Sequence, residues 1–317
     1  LGIKTQLRHR QKLADALGKP VAALTPDDDP NPILLYGQEL QADNVAAAKM
    51  NAFIHDMRAD VRQGNTMRNP LFLNEDGSLR RFGKIGANPM WNQDMTPDVY
   101  ENDAYGRFAW GTPPGGTADW GWVQHMYASL EPGGRMAVVL DTGAVSRGSG
   151  NKGKNAERDI RKQFVEHDAI DAVILLPDNM FFNTSAPGII LVAQKVDAGH
   201  ARTHAGEILL INAGKLFVKG RPKNEMSAEQ VRTVGDLYLN WRAEEELSAV
   251  VKVAEVVRND YNLSPSRYVA SNDVEPPLPL EEAVVLMQEA EEARAVADAR
   301  LDAVMAALGF EDWREVA

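Results

Sequence analysis

Two runs, Met136-Ala137-Val138-Val139-Leu140 and Ala172-Val173-Ile174-Leu175-Leu176, decide the fold. Each is unbroken apolar sequence carrying β-branched residues, with no polar alternation. A strand with water on one face alternates in polarity, whereas a strand covered on both faces does not. The runs therefore predict inner strands of a sheet buried on both sides. Segments of helical periodicity at 118–130 and 156–166 precede them, and this alternation predicts an α/β fold with a doubly wound, mainly parallel sheet. Further strand-like runs are Ile33-Leu34-Leu35-Tyr36, ending at Gly37-Gln38-Glu39, and residues 84–87, 188–193 and 207–211. The last of these follow one another without a helix, which predicts an antiparallel edge. Helices are expected over residues 3–17, on Ile3, Leu7, Leu13 and Leu17, and from Asp43 to about Met57. A Pro/Asp-rich loop from Pro26 to Pro32 separates the first helix from the first strand.

The character changes near Asn224, beyond which no apolar strand run is recognised and Glu and Ala dominate. The expected division is an α/β domain over 1–223 and a helical C-terminal extension over 224–317. Within the extension, Pro276-Pro277-Leu278-Pro279 forms a joint before one long helix. Ala283, Met287, Ala290, Ala297, Leu301, Val304 and Leu308 recur there in three- and four-residue steps, Arg294 interrupts them, and Gly309 stands where a C-cap would. Two readings are open: a seam that docks a partner helix, or a helix folded back on its own domain.

The 317 residues suffice for one sizeable core plus an appendage, and 44% apolar with 25% charged residues is ordinary for a soluble protein. The absence of Cys excludes disulfides, thiolate metal sites and thiol catalysis, and fits a reducing cytoplasm. No apolar run is long enough to span a membrane. The net charge of −11 argues against a free-standing nucleic-acid binder, so such a function would need local basic patches or a partner. The histidines show no ligand spacing beyond His200/His204, which lacks acidic company, and no metal is expected. The chain begins with Leu rather than Met, as a fragment or trimmed chain would.

The chemistry concentrates at Ile85-Gly86-Ala87-Asn88-Pro89-Met90-Trp91-Asn92. The Asn88 side-chain oxygen and the Pro89 carbonyl can both accept hydrogen bonds from an exocyclic amino group, and Trp91 can stack on the heterocycle bearing it. Asn-Pro is also an ordinary turn. Glu39, at a strand end, is placed to accept from both hydroxyls of a ribose, or simply to open the next helix. Asn65 could contact an adenine edge or serve as a turn residue. From Trp91 to Trp122 a long segment holds four of the six tryptophans, suited to base stacking or to a satellite core, the reading preferred for most of them. Arg147, Lys152, Lys154, Arg158, Arg161 and Lys162 form the best candidate for phosphate contact, with a solvated loop as the alternative. Phe181 and Phe182, beyond the 172–176 strand, could close the other face of an extruded base, or lie in the core.

Read together and in order, these segments resemble the modification (M) subunit of type I restriction–modification systems, an N6-adenine DNA methyltransferase family. Leu35-Tyr36-Gly37-Gln38-Glu39 resembles the signature whose Glu binds the ribose of S-adenosylmethionine, and Gly64-Asn65-Thr66-Met67 resembles the family's Gly-Asn-Thr-Leu segment. Ala87-Asn88-Pro89-Met90-Trp91-Asn92 stands where the family has Ala-Asn-Pro-Pro-Phe, with Met90 in place of the second Pro. Gly133-Gly134-Arg135-Met136-Ala137-Val138-Val139 and Leu176-Pro177 with Phe181, Phe182 and Thr184 match later segments. Asn259-Asp260-Tyr261-Asn262-Leu263-Ser264-Pro265-Ser266-Arg267-Tyr268-Val269 is the most family-specific.

The resemblance implies S-adenosylmethionine bound by Gly37, Glu39 and Asn65, and a base flipped from the duplex. Asn88, Pro89 and Trp91 would be the catalytic residues, Phe181 or Phe182 would pack on the base, and Arg147, Lys152 and Lys154 would touch the DNA backbone. Partners implied are double-stranded DNA, a specificity (S) subunit, a restriction (R) subunit and a second M subunit. The family's glycine-rich cofactor loop is expected just upstream of Leu1, and a chain without it should hold the cofactor weakly. Alternatives are a methyltransferase for another amide or amino group, such as a glutamine side chain, separable by product analysis, and a non-catalytic assembly subunit, separable by cofactor binding.

Overall fold

A computed structural model describes residues 34–55, 57–269 and 280–307, with isolated positions at 15, 18 and 20. The expected helix over 3–17, the Pro26–Pro32 loop, the Pro276–Pro279 joint and the Gly309 cap lie outside the described residues.

The described strands form two sheets. β1 (Leu34–Glu39) and β2 (Arg58–Gln63) pair in parallel, Glu39 opposite Gln63, with the helix Ala42–Ile54 between them. The larger sheet contains β3 (Phe82–Ala87), β4 (Leu130–Asp141), β5 (Ile170–Leu175), β6 (Gly188–Gln194), β7 (Glu207–Asn212) and β8 (Ser248–Lys252), in the order β3-β4-β6-β5-β7-β8. β3, β4, β5 and β7 run one way, β6 and β8 the other.

The expected run of antiparallel strands is therefore partly displaced from the edge. β6 lies inside the sheet, between β4 and β5, because six of its seven residues are buried and an edge would leave them wet. β8 is a strand beyond Asn224 that the sequence pattern hides, since its apolar core is only Ala249-Val250-Val251. It pairs with β7, so the expected division at 223/224 falls within the sheet-bearing unit. The compact unit runs to Ala270, and residues 271–317 form a second, which contains the helix Leu280–Ala307.

Alternate residues of the inner strands feed two cores. Val173, Ile208 and Leu210 pack with Trp120 and Val123 of the helix Asp119–Ala128 and with Ile160 and Phe164 of the helix Ala156–Glu166. Ala172, Ile174, Leu209 and Ile211 face the other way, towards Leu237 of the helix Ala228–Leu239. That helix opens on a capping box, Ser227 with Gln230, and Ala156–Glu166 opens on the Asn155 side chain, which accepts from the Arg158 N–H at 3.0 Å. The register sets Ala87 beside Val138, Asp141 beside Gly188 and Leu175 beside Ile189, so β3, β4 and β5 finish at one end of the sheet, where β6 begins.

Most of the 91–122 aromatics are packing residues. Tyr100 and Val99 bury Met67, with Met95, Phe108 and Trp122 around them, and Trp120 lies wholly in the main core with its N–H on the Ala144 carbonyl at 2.8 Å. Buried Arg107 clamps this loop: it pairs with Asp103 at 2.7 Å and donates to the Thr66 and Met67 carbonyls at 3.1 and 2.6 Å. It also lies 3.2 Å from Nδ1 of His125, which accepts only as the neutral ring with its proton on Nε2.

Burial, reinforced by the Arg107 charge, pushes the His125 pKa down to about 3 from its ordinary 6.5. The folded state thus binds fewer protons than the unfolded one. Its contribution should be complete above pH 6.5 and be lost as pH falls towards 3, at about 1.4 kcal/mol per pH unit. Urea unfolding across that range is expected to show this slope, and His125→Gln, which can still accept from Arg107, should flatten it.

Candidate functional site

Asn88 and Pro89 leave the sheet at the carboxyl end of β3, the end at which open α/β sheets bind ligands. The Asn88 side chain is exposed and bonded to no described residue, and Pro89 is half-buried. Trp91 turns back so that its ring meets Phe181 edge to face, with centroids 4.6 Å apart and planes at 71°. Both rings lie over Gly188, where a Cβ would come within 2.9 Å of each, so only glycine allows them to settle there. The Trp91 indole N–H is buried with no acceptor among the described residues. Met90 and Phe182 stand at the rim, 68% and 91% exposed. The structure thus brings Asn88, Pro89, Trp91 and Phe181 together and leaves Phe182 in solvent.

Arg147 holds this corner in place, which corrects its expected role on the DNA backbone. Its guanidinium binds Asp119 at 2.5 Å, Asp141 at 2.7 Å and Glu157 at 2.6 Å, and donates to the Asn92 side-chain oxygen at 3.1 Å. The Asp119 carboxylate accepts from the Asn92 backbone N–H at 3.2 Å, and Asn92 sits at a φ of 49°. Burial pushes the Asp119 pKa up, against the hydrogen bonds from Arg147 and Asn92. Gly143 is required nearby because any side chain would collide with the guanidinium. Sequence reasoning missed this carboxylate set. Its one visible signal was Asp141, directly after the Met136–Leu140 run.

The rest of the basic segment divides. Arg161 is fully buried and binds the carbonyls of Tyr261, Ala144 and Arg147 and the hydroxyl of Ser149. Arg158 pairs with Asp159 and with Asp260, whose carboxylate also takes the Gly150 N–H at 2.8 Å. The Asn259–Val269 stretch is therefore a scaffold, with Leu263 buried and its N–H on the Val145 carbonyl at 2.9 Å. Lys152 and Lys154 remain exposed, with no ion pair to any described residue.

A second group lies at the carboxyl ends of β1 and β2. Glu39 is the last residue of β1, with Oε1 accepting from the Gln41 N–H at 2.8 Å and Oε2 left without a described partner. It thus fixes the backbone at the start of its helix and still offers one acceptor oxygen, to which a ribose hydroxyl could donate. Asn65 is a turn residue here: its Oδ1 accepts from the N–H groups of Met67 and Arg68 at 3.1 and 3.0 Å. Its amide NH2 makes no bond to a described residue. Gly37 lies opposite Val61, with room for a Cβ at 3.8 Å, so packing alone does not demand glycine there.

Arg147→Met should leave Asp119, Asp141 and Glu157 without a cation. Removing one partner from a buried ion network costs about 3–5 kcal/mol. Chemical denaturation is expected to register a loss of that size, with Arg147→Lys intermediate because an ammonium cannot span all three carboxylates.

Residues 12–276 match the N-6 DNA methylase family. The methylase subunit of the type I restriction enzyme MjaVIII of Methanocaldococcus jannaschii is 35% identical over 254 residues, covering 76% of this chain and 42% of that protein. The HindI methylase subunit of Haemophilus influenzae is 29% identical over 258 residues, covering 77% and 54%. Among solved structures, the type I methyltransferase subunit from Streptococcus thermophilus superposes with a TM-score of 0.67 at 30% identity, covering 76% of this chain and 49% of that one. The EcoKI M protein, at 18% identity and a TM-score of 0.61 over 95% of this chain and 65% of that one, shares the fold. The chain spans about half the length of the curated relatives it matches. It belongs to the N-6 DNA methylase family.

Proposed function

We propose that this protein is the modification subunit of a type I restriction–modification system and methylates adenine N6 in DNA. The observation that carries the proposal is the exposed, unbonded Asn88 amide beside the Pro89 carbonyl, at a strand end flanked by Trp91. In this reading the two oxygens accept the hydrogens of an adenine amino group and turn its lone pair outward. S-adenosylmethionine, when bound, supplies the methyl group on a sulfonium; N6 gains the N–C bond as the S–C bond breaks and then releases a proton. Glu39 would hold the ribose through its free oxygen, with Gly37 and Asn65 alongside it.

A sandwich of base between two rings needs about 7 Å between them. Trp91 and Phe181 are too close for that, at 4.6 Å. The base would therefore stack on the open face of Trp91, with Phe181 bracing that ring and exposed Phe182 closing over it. Lys152 and Lys154 would touch DNA phosphates. The relatives are named as methylase subunits, which supports assembly with specificity and restriction subunits and a second M subunit, through the helix Leu280–Ala307. Such an assembly would work in the cytoplasm, and no described helix is long and apolar enough to cross a membrane.

Asn88→Ala in the full-length protein should lower methyl transfer by about 100-fold or more while leaving cofactor affinity within a few-fold. Scintillation counting of labelled methyl groups on DNA checks this, and retained turnover would refute the assignment.

Glu39→Ala acts on the other side of the reaction. Calorimetry on the full-length protein is expected to show S-adenosylmethionine affinity reduced at least about tenfold, from the loss of a charge-assisted acceptor. Unchanged affinity would return Glu39 to a helix-opening role.

A further inference from the structure

The segment that fastens the Phe181–Phe182 loop has no part in the proposed site. Val218 and Glu225 exchange both backbone hydrogen bonds, at 2.7 and 3.1 Å, and close a tight hairpin. Gly220 packs so closely on the Lys223 carbonyl that any side chain would clash, so this turn requires glycine. The hairpin is bound to the loop on both sides of the two phenylalanines. The Asn224 N–H donates to the Asn179 carbonyl at 2.9 Å, and the Asn224 amide to the Asp178 carbonyl at 3.1 Å and carboxylate at 3.2 Å. Lys223 Nζ donates to the Asn179 side-chain oxygen and to the Thr184 carbonyl, both at 3.1 Å.

Lys223 is occupied by this work, and Asn224 covers Asp178. At the tip Lys219 and Arg221 stand exposed, and neither has an ion pair with any described residue. What sets these two cations apart is their place, on a turn bonded to both sides of the loop that carries Phe181 and exposed Phe182. A preorganised turn loses little entropy on binding, unlike lysines on a glycine-rich loop such as Lys152 and Lys154. The loop that the hairpin fastens carries Phe181, whose ring meets Trp91 three residues after Asn88, which ties the two cations to the Asn88 corner through bonded segments.

We propose that Lys219 and Arg221 bind phosphates of the DNA strand whose base is extruded. The clamp's placement rests on the methyltransferase reading, but its test does not. Labelled duplex DNA is titrated with the full-length protein between about 50 and about 200 mM salt, following fluorescence anisotropy. Each phosphate contact contributes about 0.9 to the slope of log affinity against log salt. Lys219→Gln with Arg221→Gln is expected to reduce that slope by about 1.8, with unchanged circular dichroism and cofactor affinity. Lys219→Arg with Arg221→Lys should keep the parent slope. A slope unchanged by the double Gln variant, or a parent protein without salt-dependent binding, overturns the clamp. A parent that binds DNA in this way but transfers no methyl group overturns the methyltransferase reading and leaves Lys219 and Arg221 as phosphate contacts without an extruded base.

Discussion

One guanidinium organises the end of the sheet. Arg147 joins four pieces that local structure would leave independent: the Asn92 turn, the start of the helix at Asp119, the end of β4 at Asp141 and the helix residue Glu157. Asp119 and Glu157 are buried, and carboxylates out of water are tolerated only with a cation and hydrogen bonds on them. The planar fork of Arg satisfies several oxygens at once, as a lysine could not. Because Asn92 is the last residue of the Asn-Pro stretch, the network also fixes where Asn88 and Pro89 emerge.

Residue type and residue role separate throughout the chain. Arginines 147, 158 and 161 have the composition of a nucleic-acid contact, yet each is spent on carboxylates or carbonyls of its own fold. The tryptophans from 110 to 122 have the composition of a stacking platform, yet they fill cores. Among the described residues at these two strand ends, what remains for a ligand is small: the Asn88 amide, the Pro89 carbonyl, the Asn65 NH2, exposed Phe182, one oxygen of Glu39 and a few lysines and arginines in solvent. Burial and hydrogen-bond satisfaction make this selection. A polar group already paired inside the fold gains little from a ligand, whereas an unpaired one at a strand end does.

The Glu39 and Asn88 groups belong to different sheets, and loop packing joins them. Arg107 ties the 64–68 turn to the aromatic loop through the Thr66 and Met67 carbonyls, while Met67 is buried against Tyr100 of that loop. Tyr36 of β1 also meets Phe82 of β3, with ring centroids 5.3 Å apart. The aromatic loop is thus a packed spacer between the Glu39 group and the Asn88 group.

The sequence by itself determined most of the strands, though not Arg58–Gln63 or Ser248–Lys252, together with the α/β class and the place of Asn-Pro at a strand end. It could do so because apolar periodicity reports local burial, and burial on both faces admits few architectures. The expected burial on both faces holds for Ile170–Leu175 but not for Met136–Leu140, where Ala137 is exposed between buried Met136 and Val138. The resemblance in segment order named the family. The tertiary structure alone decided that β6 lies inside the sheet, that β8 extends it past Asn224, and that Arg147 faces inward. It also decided that Phe181, rather than Phe182, meets Trp91, and that the 218–225 hairpin holds their loop. Several of these depend on partners far apart in the chain, such as Asp119 with Arg147, 28 residues apart, and Trp91 with Phe181, 90 apart. Such pairings are set by the direction in which packed elements point their side chains, which a linear pattern of polarity does not encode.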